Sequence, residues 1–507
     1  MNKQIKWGII LQYAQMALNV LVKLIYVPIM TRILGQNEYG LYNLASSIIG
    51  YLSLLSLGFG VGYIRFYSRY KKNDDEEGIK KLNGLYLIVF SIMGIVSLIL
   101  GLILSFNVSW FFNNTYSAQE LHIAKILMMF LTFNLAISFP VSIFTSFISS
   151  QEKFIFQKLI NIINTVLSPV LCCALLFLGY GSIGMVFVST VLGLIVSIIN
   201  IFYSVKKLKM RFSFGKIDKT LLKEIAIFCS FIAVNQIMDE LNWHSDKLIL
   251  GKFVSSAAVG IYAIASTINQ MYLSFSTAIS GVFAPRVNKI VAENAHDCNS
   301  RLTDLMIKVG RIQLFVIALI LTGFIFFGYY FISVWAGPEY VEAYYAALLL
   351  IVPVTLPLIQ NIGIEIRRAK NQHKMISIIL LCAAIINIVI SIHLGINFGV
   401  IGVAFGTTIS LIINSIVTNL FYKYKIGLEM GRFWLDIIKI LPAFILPVAV
   451  GILLNIFLPV NSILMFCLQV FIYTSIYCLS IFLFGLNKSE KDILKGFLIK
   501  KKKEKQK

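Results

Sequence analysis

The sequence predicts an all-α membrane protein with fourteen transmembrane helices, arranged as two parallel six-helix lobes followed by two C-terminal helices. Three observations lead to this fold class. Of the 507 residues, 58% are hydrophobic and only 13% are charged, whereas soluble globular proteins carry roughly 25% charged residues. The apolar residues form runs of about 20 or more, which is the length needed to cross a bilayer. The basic residues are concentrated on alternate connecting segments.

Each predicted span is an apolar run bounded by charged and turn residues. The bilayer interior has no water to satisfy free backbone groups, so we expect helices. The runs have neither the short length nor the alternating pattern of barrel strands. The first run is too long for a secretory signal, and we expect it to be retained as a helix. The fourteen spans begin near Gly8, Tyr39, Leu82, Leu121, Phe156, Ser182, Leu221, Ala257, Leu305, Tyr340, Met375, Phe398, Phe433 and Asn461.

The distribution of the 44 Lys and Arg residues predicts the orientation of these spans. Nearly all of them lie in the amino-terminal segment, in every second loop or in the C-terminal tail, and basic residues are retained on the cytoplasmic side during insertion. We therefore expect both termini in the cytoplasm and a multi-pass protein of a bacterial cytoplasmic membrane. The net charge of +21 then reflects topology and not nucleic-acid binding. The exceptions are Lys23, Arg32, Lys125, Lys247 and Lys252.

The two halves of the chain contain an internal repeat at an offset of 220 residues. The segment from Gly40 to Ser46 aligns with the segment from Gly260 to Ser266, at the start of the second span of each half. A second match, at an offset of 218 residues, aligns Gly181 with Gly399 at the start of the sixth span of each half. Six spans per repeat give both repeats the same orientation, and such repeats place a substrate site between two lobes that open alternately. The repeat therefore favours a transporter.

This repeat predicts four regions. The first six-helix lobe occupies residues 1–210 and the second occupies residues 218–425. Transmembrane helices 13 and 14 follow in residues 430–486, and residues 487–507 form a basic cytoplasmic tail. We expect the tail, which is richest in lysine from Lys500 to Lys507, to contact anionic membrane lipids.

Two segments resemble a known family. Arg32 to Tyr42 is similar to the R-x-L-G-x-x-x-Y-G-x-Y signature that follows the first helix of polysaccharide-repeat flippases. Asp246 to Gly251, followed by Val259 to Tyr262, resembles the matching stretch of their second lobe. These flippases belong to the multidrug, oligosaccharidyl-lipid and polysaccharide exporter superfamily. The resemblance implies translocation of an undecaprenyl-diphosphate-linked oligosaccharide from the inner to the outer leaflet, for polymerisation into a surface polysaccharide.

Ionisable and amide residues inside the predicted spans indicate a polar cavity, because such groups are costly in a bilayer without a partner or water. The first span carries Gln15, Asn19 and Lys23 on one helical face. We expect Lys23 to bind a diphosphate or an acidic sugar, and Asp239 or Glu240 in the seventh span to couple transport to a proton or sodium ion. The alternative is a structural ion pair between two helices.

Asp246 and Lys247 are expected nearer the outer surface, as solvated or structural groups. The remaining cavity candidates are Asn235, Asn242, Gln270 and Arg65.

A second group of charged residues ends the predicted spans at the cytoplasmic mouth. Arginine suits a phosphate because its planar guanidinium donates two parallel hydrogen bonds, although the topology rule also explains arginines at this position. Glu365 could pair with a neighbouring arginine. The mouth residues, besides Arg65, are Arg69, Arg286, Glu365, Arg367 and Arg368.

The sequence does not predict an enzyme or a cofactor. It contains neither a P-loop nor an H-E-x-x-H or G-x-S-x-G motif, and its cysteine spacing predicts neither a disulfide framework nor a metal site. Two alternative functions remain: a cation-coupled multidrug exporter of the same superfamily, and a membrane glycosyltransferase or polysaccharide polymerase. We expect a monomer whose partners are the lipid-linked oligosaccharide, membrane lipids and a polysaccharide polymerase.

Overall fold

A computed structural model gives the fold of the chain. It describes residues 3–110, 112, 116–215, 219–293, 296–370, 372, 374–487 and 490–491. Every regular element in these ranges is helical, which confirms the predicted all-α class. The side chains of Asn235, Asp239 and Asn242 lie outside the described part, as does the tail from Lys500 to Lys507.

The longer helices follow the predicted spans in order. Their bounds are α1 Lys3–Tyr51, α2 Phe59–Lys72, α3 Glu76–Phe106, α4 Ala118–Ser150, α5 Phe154–Phe177, α6 Gly181–Phe202, α7 Lys219–Phe253, α8 Ser256–Glu293, α9 Cys298–Trp335, α10 Glu342–Leu358, α11 Ile362–Ala369, α12 Lys374–Phe421, α13 Met430–Ile438, α14 Ile445–Phe457 and α15 Ile463–Ser480.

The helices accommodate fourteen spans because two long helices are each broken by a glycine. Gly35 breaks α1 with φ 70° and ψ 178°, and Gly399 breaks α12 with φ 58° and ψ −135°. Such backbone angles are almost confined to glycine. The pairs α10–α11 and α13–α14 each form one span, the first with a bend of 48°. The predicted count of fourteen is thus confirmed.

The second repeat match has a backbone counterpart. Gly181 and its match Gly399 both have left-handed backbone conformations, with φ of 56° and 58°, and each stands at the start of the sixth span of its half. Glycine adopts positive φ without the steric cost that a Cβ imposes. The sequence repeat therefore marks equivalent turns.

The described chain divides into two compact units that do not coincide with the predicted lobes. The first unit contains Met1–Ile268, Trp335–Leu350 and Lys374–Leu411. The second contains Asn269–Val334, Ile351–His373 and Ile412–Lys507. The lobe boundaries at residues 1–210 and 218–425 therefore stay predictions.

Each unit has its own apolar core. In the first unit, Tyr63, Tyr86 and Phe90 are fully buried. The rings of Tyr63 and Tyr86 meet edge to face, which suits the quadrupole of aromatic rings, and Phe90 packs against Tyr86 at a tilt. In the second unit, Phe327 and Tyr473 contact each other with ring centroids 5.6 Å apart. These cores fix the helices that carry the polar residues described below.

Candidate functional site

The polar face of the first span lies in the first unit. Asn19 is exposed, whereas Gln15 and Lys23 are half-buried. The Oε1 atom of Gln15 is buried and has no hydrogen-bond partner among the described residues. Spacings of four residues place these three groups on one helical face, as the sequence predicts.

A second half-buried lysine, Lys247 of α7, lies in the same unit as Lys23. Its ammonium donates a hydrogen bond to Asn43 Oδ1, at 3.3 Å, and the Asn43 amide in turn donates to the Tyr39 carbonyl oxygen. Within the described part of the chain, no carboxylate oxygen lies within 4.0 Å of Lys247 Nζ. A half-buried ammonium group without a carboxylate partner favours binding of an anion.

Glu240 faces the second span and a histidine of its own helix. Ser53 Oγ donates to Glu240 Oε1 at 3.4 Å, and His244 Nε2 lies 3.6 Å from Oε2. The Tyr51 hydroxyl donates to the backbone oxygen of Glu240 at 3.4 Å. Glu240 thus lies in a polar, partly buried setting, which suits a group that exchanges a proton or holds a cation.

Asp246 is deeply buried, with only 2% of the residue exposed, and is the most buried carboxylate among the described side chains of α7. Its Oδ2 accepts hydrogen bonds from the Tyr262 hydroxyl of α8 and from Thr407 Oγ1 of α12, the latter at 2.8 Å. Its Oδ1 has no hydrogen-bond partner among the described residues. A buried carboxylate with a free oxygen is costly unless it is protonated or binds a cation.

The sequence interpretation of Asp246 as a solvated or structural group near the surface did not anticipate this burial. The sequence did contain a hint of the contact between Asp246 and Tyr262, because both residues belong to the second family signature. Lys247, which the sequence also placed nearer the outer surface, contacts Asn43 of the second span.

At one end of the first unit, the second spans of the two sequence repeats cross at close range. A Cβ added to Gly260 would lie 2.6 Å from the Gln36 carbonyl oxygen, and one added to Gly40 would overlap the Ser256 carbonyl oxygen. Only glycine allows so close an approach of two backbones. The crossing holds the two helices in backbone contact at this end of the first unit.

The loop between α9 and α10 covers the same end. Gln36 donates to the Glu339 carbonyl oxygen, and the Tyr39 and Tyr340 rings meet edge to face with centroids 6.3 Å apart. The Trp335 indole donates to the Leu24 carbonyl oxygen at 2.8 Å. These contacts reinforce the glycine crossing.

The loop between α3 and α4 braces the turn between α7 and α8. Burial raises the pKa of the Tyr116 phenol, which keeps the hydroxyl protonated as it donates to the Gly251 carbonyl oxygen at 2.7 Å. Ser256 Oγ donates to Glu120 Oε1 at 3.1 Å. Glu120 also forms a capping box with Ser117 at the start of α4.

The predicted mouth residues fall in both units. In the first unit, Arg65 stacks over the Phe228 ring at 4.3 Å, and Arg69 forms an ion pair with Glu224 at 2.8 Å. In the second unit, Glu365 forms an ion pair with Arg368 at 2.9 Å. This is the pairing with a neighbouring arginine that the sequence analysis considered. The other predicted mouth residues of the second unit are Arg367, which lies over the Tyr422 ring, and Arg286, which lines a basic cavity. The cavity candidate Gln270 also falls in this unit, where it is exposed on α8.

The described residues contain no cluster of three or more His, Cys, Asp and Glu side chains that could hold a metal ion. The cysteines are free thiols. The first unit instead carries two half-buried lysines, a partly buried glutamate and a deeply buried aspartate.

Comparisons with known proteins agree with this fold. The sequence profile of the family described as polysaccharide biosynthesis protein matches residues 6–291. The uncharacterized membrane protein EpsK of Bacillus subtilis (strain 168) is 23% identical over 448 residues, which cover 84% of each chain.

Solved structures of two kinds share the architecture. Lipid II flippase MurJ, in an inward closed conformation, matches with a TM-score of 0.70 and 18% identity, over 94% of this chain and 98% of that one. An inward-facing multidrug resistance MATE family transporter matches with a TM-score of 0.62 and 15% identity, over 82% of this chain and 96% of that one. At these identities the likeness concerns the fold. Both neighbours are described as transporters or flippases, and neither as an enzyme.

Proposed function

Because the chain belongs to the polysaccharide biosynthesis protein family, we propose that it is a flippase for an undecaprenyl-diphosphate-linked oligosaccharide repeat unit. It moves this unit from the inner to the outer leaflet of a bacterial cytoplasmic membrane, for assembly of a cell-surface polysaccharide. The observation that carries the proposal is a half-buried lysine on each of two helices of the first unit, Lys23 on the polar face of α1 and Lys247 hydrogen-bonded to Asn43.

A diphosphate is the group that fits this pair. It carries two or more negative charges on adjacent phosphates, so it can neutralise both ammonium groups at once. Lysine is a compact, strongly hydrated point charge, and binding an anion replaces the water that it loses in a membrane interior. The amides of Gln15, Asn19 and Asn43 offer donors and acceptors to the sugar hydroxyls beside it.

Alternating access supplies the transport cycle. In parallel repeats, two lobes rock about a central site so that it opens first to one side and then to the other. We assign the end closed by Gly40 and Gly260 to the outer face, because the distribution of basic residues predicts cytoplasmic termini. This state would accept cargo from the inner leaflet, and separation of the two glycines would open the outer side.

We further propose that a cation drives the cycle. Asp239 and Glu240 are the sequence candidates for the coupling site, and the contacts of Glu240 with Ser53 and His244 support it. Asp246 is the stronger candidate, because its buried carboxylate leaves Oδ1 without a partner among the described residues. A proton or sodium ion on this oxygen would remove the cost of its burial.

The test is the fate of lipid-linked repeat units in cells that lack the chain. We expect loss of the surface polysaccharide and accumulation of undecaprenyl-diphosphate-linked units on the inner leaflet, whose mass identifies the glycan. A plasmid copy should restore the polymer, as should one carrying Lys125→Gln, a lysine of α4 that stacks over the Phe106 ring. Copies carrying Lys23→Gln or Lys247→Gln should not restore it.

The second candidate function is multidrug export, because the chain shares its fold with a MATE family transporter. It predicts a normal polymer and increased sensitivity to cationic toxins in cells that lack the chain. If the chain were a polymerase, cells that lack it would accumulate repeat units on the outer leaflet. If it were a glycosyltransferase, such cells would leave sugars unincorporated. The leaflet in which the intermediates accumulate thus separates the three functions.

We propose a monomer that delivers its cargo to a separate polysaccharide polymerase.

A further inference from the structure

A basic cavity of about 650 Å³ lies in the second unit, between the end of α8 and the start of α9. Its volume falls in the usual range of small-ligand sites. Four cations and two carboxylates line it: Arg286, Lys289, Arg301, Lys308, Glu293 and Asp304.

The two carboxylates of the cavity are already engaged by arginines. Glu293 Oε2 lies 2.7 Å from Arg301, and Asp304 Oδ1 lies 2.6 Å from Arg432. This pairing removes them as partners for the remaining cations. Across the described ranges, no carboxylate oxygen lies within 4.0 Å of Arg286, Lys289 or Lys308.

The three remaining cations repel one another. Arg286 and Lys289 are three residues apart on α8 and therefore neighbours on its surface, where like charges destabilise a helix. Lys308 faces the same cavity from α9. An anion in the cavity would relieve this repulsion, and the guanidinium of Arg286 suits the geometry of a phosphate.

The surroundings favour a membrane lipid over a soluble anion. Val282 lies one helical turn before Arg286 on the same face of α8, and 61% of its surface is exposed. This exposed valine offers an apolar surface to lipid chains. Buried Ile290 and Leu305 form the apolar wall of the cavity. A headgroup bound by the cations could thus keep its chains along α8, as in basic pockets at cytoplasmic helix ends.

We propose that this cavity binds the phosphate of an anionic membrane lipid at the cytoplasmic face of the second unit. The phosphate belongs either to a bulk phospholipid or to the isoprenoid carrier of the cargo. Binding of the isoprenoid carrier rests on the proposed function, whereas binding of a bulk phospholipid does not.

Native mass spectrometry of the purified full-length protein tests the proposal. The probes are tetraoleoyl cardiolipin, undecaprenyl phosphate, zwitterionic dioleoylphosphatidylcholine and inorganic pyrophosphate. The test variant carries Arg286→Gln, Lys289→Gln and Lys308→Gln. The charge-matched control carries Lys72→Gln, Lys206→Gln and Lys425→Gln, three exposed cations outside the cavity. A variant with Lys289→Arg and Lys308→Arg keeps the charge.

We expect the test variant to bind at least one of the two anionic lipids at least tenfold more weakly than the wild type. The control and the charge-keeping variant should stay within twofold of the wild type, and all should bind phosphatidylcholine equally. Tighter binding of undecaprenyl phosphate than of cardiolipin assigns the cavity to the cargo carrier, and the reverse assigns it to bulk lipid.

Unchanged lipid binding in the test variant, or an equal loss in the control, would overturn the proposal. Pyrophosphate binding as tightly as either lipid would replace the lipid by a soluble anion. If the triple variant does not fold, Arg286→Gln alone must still weaken lipid binding. The assay measures binding and not transport, so its outcome is independent of whether the chain proves to be a flippase.

Discussion

Gly40 and Gly260, matching positions of the two sequence repeats, pack backbone against backbone in the first unit. A Cβ on Gly260 would lie 2.6 Å from the carbonyl oxygen of Gln36, and Gly40 approaches Ser256 more closely still. The short repeated segment that contains Gly40 in the first half and Gly260 in the second half therefore contacts its own copy. Because each copy follows the first span of its half, the contact lies between the spans that come directly after those carrying Lys23 and Lys247.

Replacing either glycine should prevent this closure. We expect Gly40→Val to expose Ser47, which lies two turns further along the same helical face and is 1% exposed. In a Ser47→Cys background, a membrane-impermeant thiol reagent added from outside should label the Gly40→Val protein at least fivefold faster. The physical reason is overpacking, which typically costs about 1–3 kcal/mol at a tight contact.

Gly50 supplies the matched control for that experiment, because a Cβ at this position meets no atom within 4 Å. Gly50→Ala should leave the labelling rate unchanged. Equal labelling of the Gly40→Val and parent proteins would show that the glycine crossing does not close the outer side.

Asp246→Asn should uncouple transport from the ion gradient while leaving the fold intact. The amide oxygen of asparagine can still accept from Tyr262 and Thr407, but the side chain can neither exchange a proton nor neutralise a cation. We expect the transport rate in proteoliposomes to lose most of its dependence on a proton or sodium gradient. Glu240→Gln, measured in parallel, tests the sequence candidate. A full gradient response in Asp246→Asn would exclude this carboxylate as the coupling site.

The buried ion pair between Arg311 and Glu490 should stabilise the second unit. Arg311 donates to both carboxylate oxygens, at 2.8 and 2.9 Å, and only 10% and 11% of the two side chains are exposed. Removing one partner of a buried pair typically costs about 3–5 kcal/mol. Thermal unfolding should therefore show a large loss of stability for Glu490→Gln and a smaller one for the double variant Arg311→Met with Glu490→Leu.

The exposed pair of Arg69 and Glu224 provides the comparison, because 62% and 47% of these side chains are exposed. Such surface pairs contribute about 0–1 kcal/mol, so Arg69→Gln should change the unfolding temperature little. If Arg69→Gln and Glu490→Gln lowered it equally, the burial argument for Arg311 would be wrong.

Local features of this fold could be predicted from sequence because local physics determines them. Apolar runs of bilayer length predicted the fourteen spans. The face shared by Gln15, Asn19 and Lys23 follows from helical periodicity alone. These predictions need no knowledge of what packs against each helix.

The environment of Asp246 could not be predicted in this way. Its burial depends on Thr407, which is 161 residues away in the chain, and span order alone does not determine which helix faces cover it. Lys247 posed the same difficulty, because its partner Asn43 comes from the second span. The roles of Asn235, Asp239 and Asn242 stay predictions.

The central claim is that Lys23 and Lys247 together bind the diphosphate of the cargo. The most direct measurement is the flipping rate of an undecaprenyl-diphosphate-linked oligosaccharide in proteoliposomes, read as its accessibility to a membrane-impermeant glycosidase. We predict that Lys23→Gln and Lys247→Gln each lower this rate at least tenfold, while Lys125→Gln leaves it within twofold of the wild type. Wild-type rates in both cavity variants, with normal folding and insertion, would contradict the account.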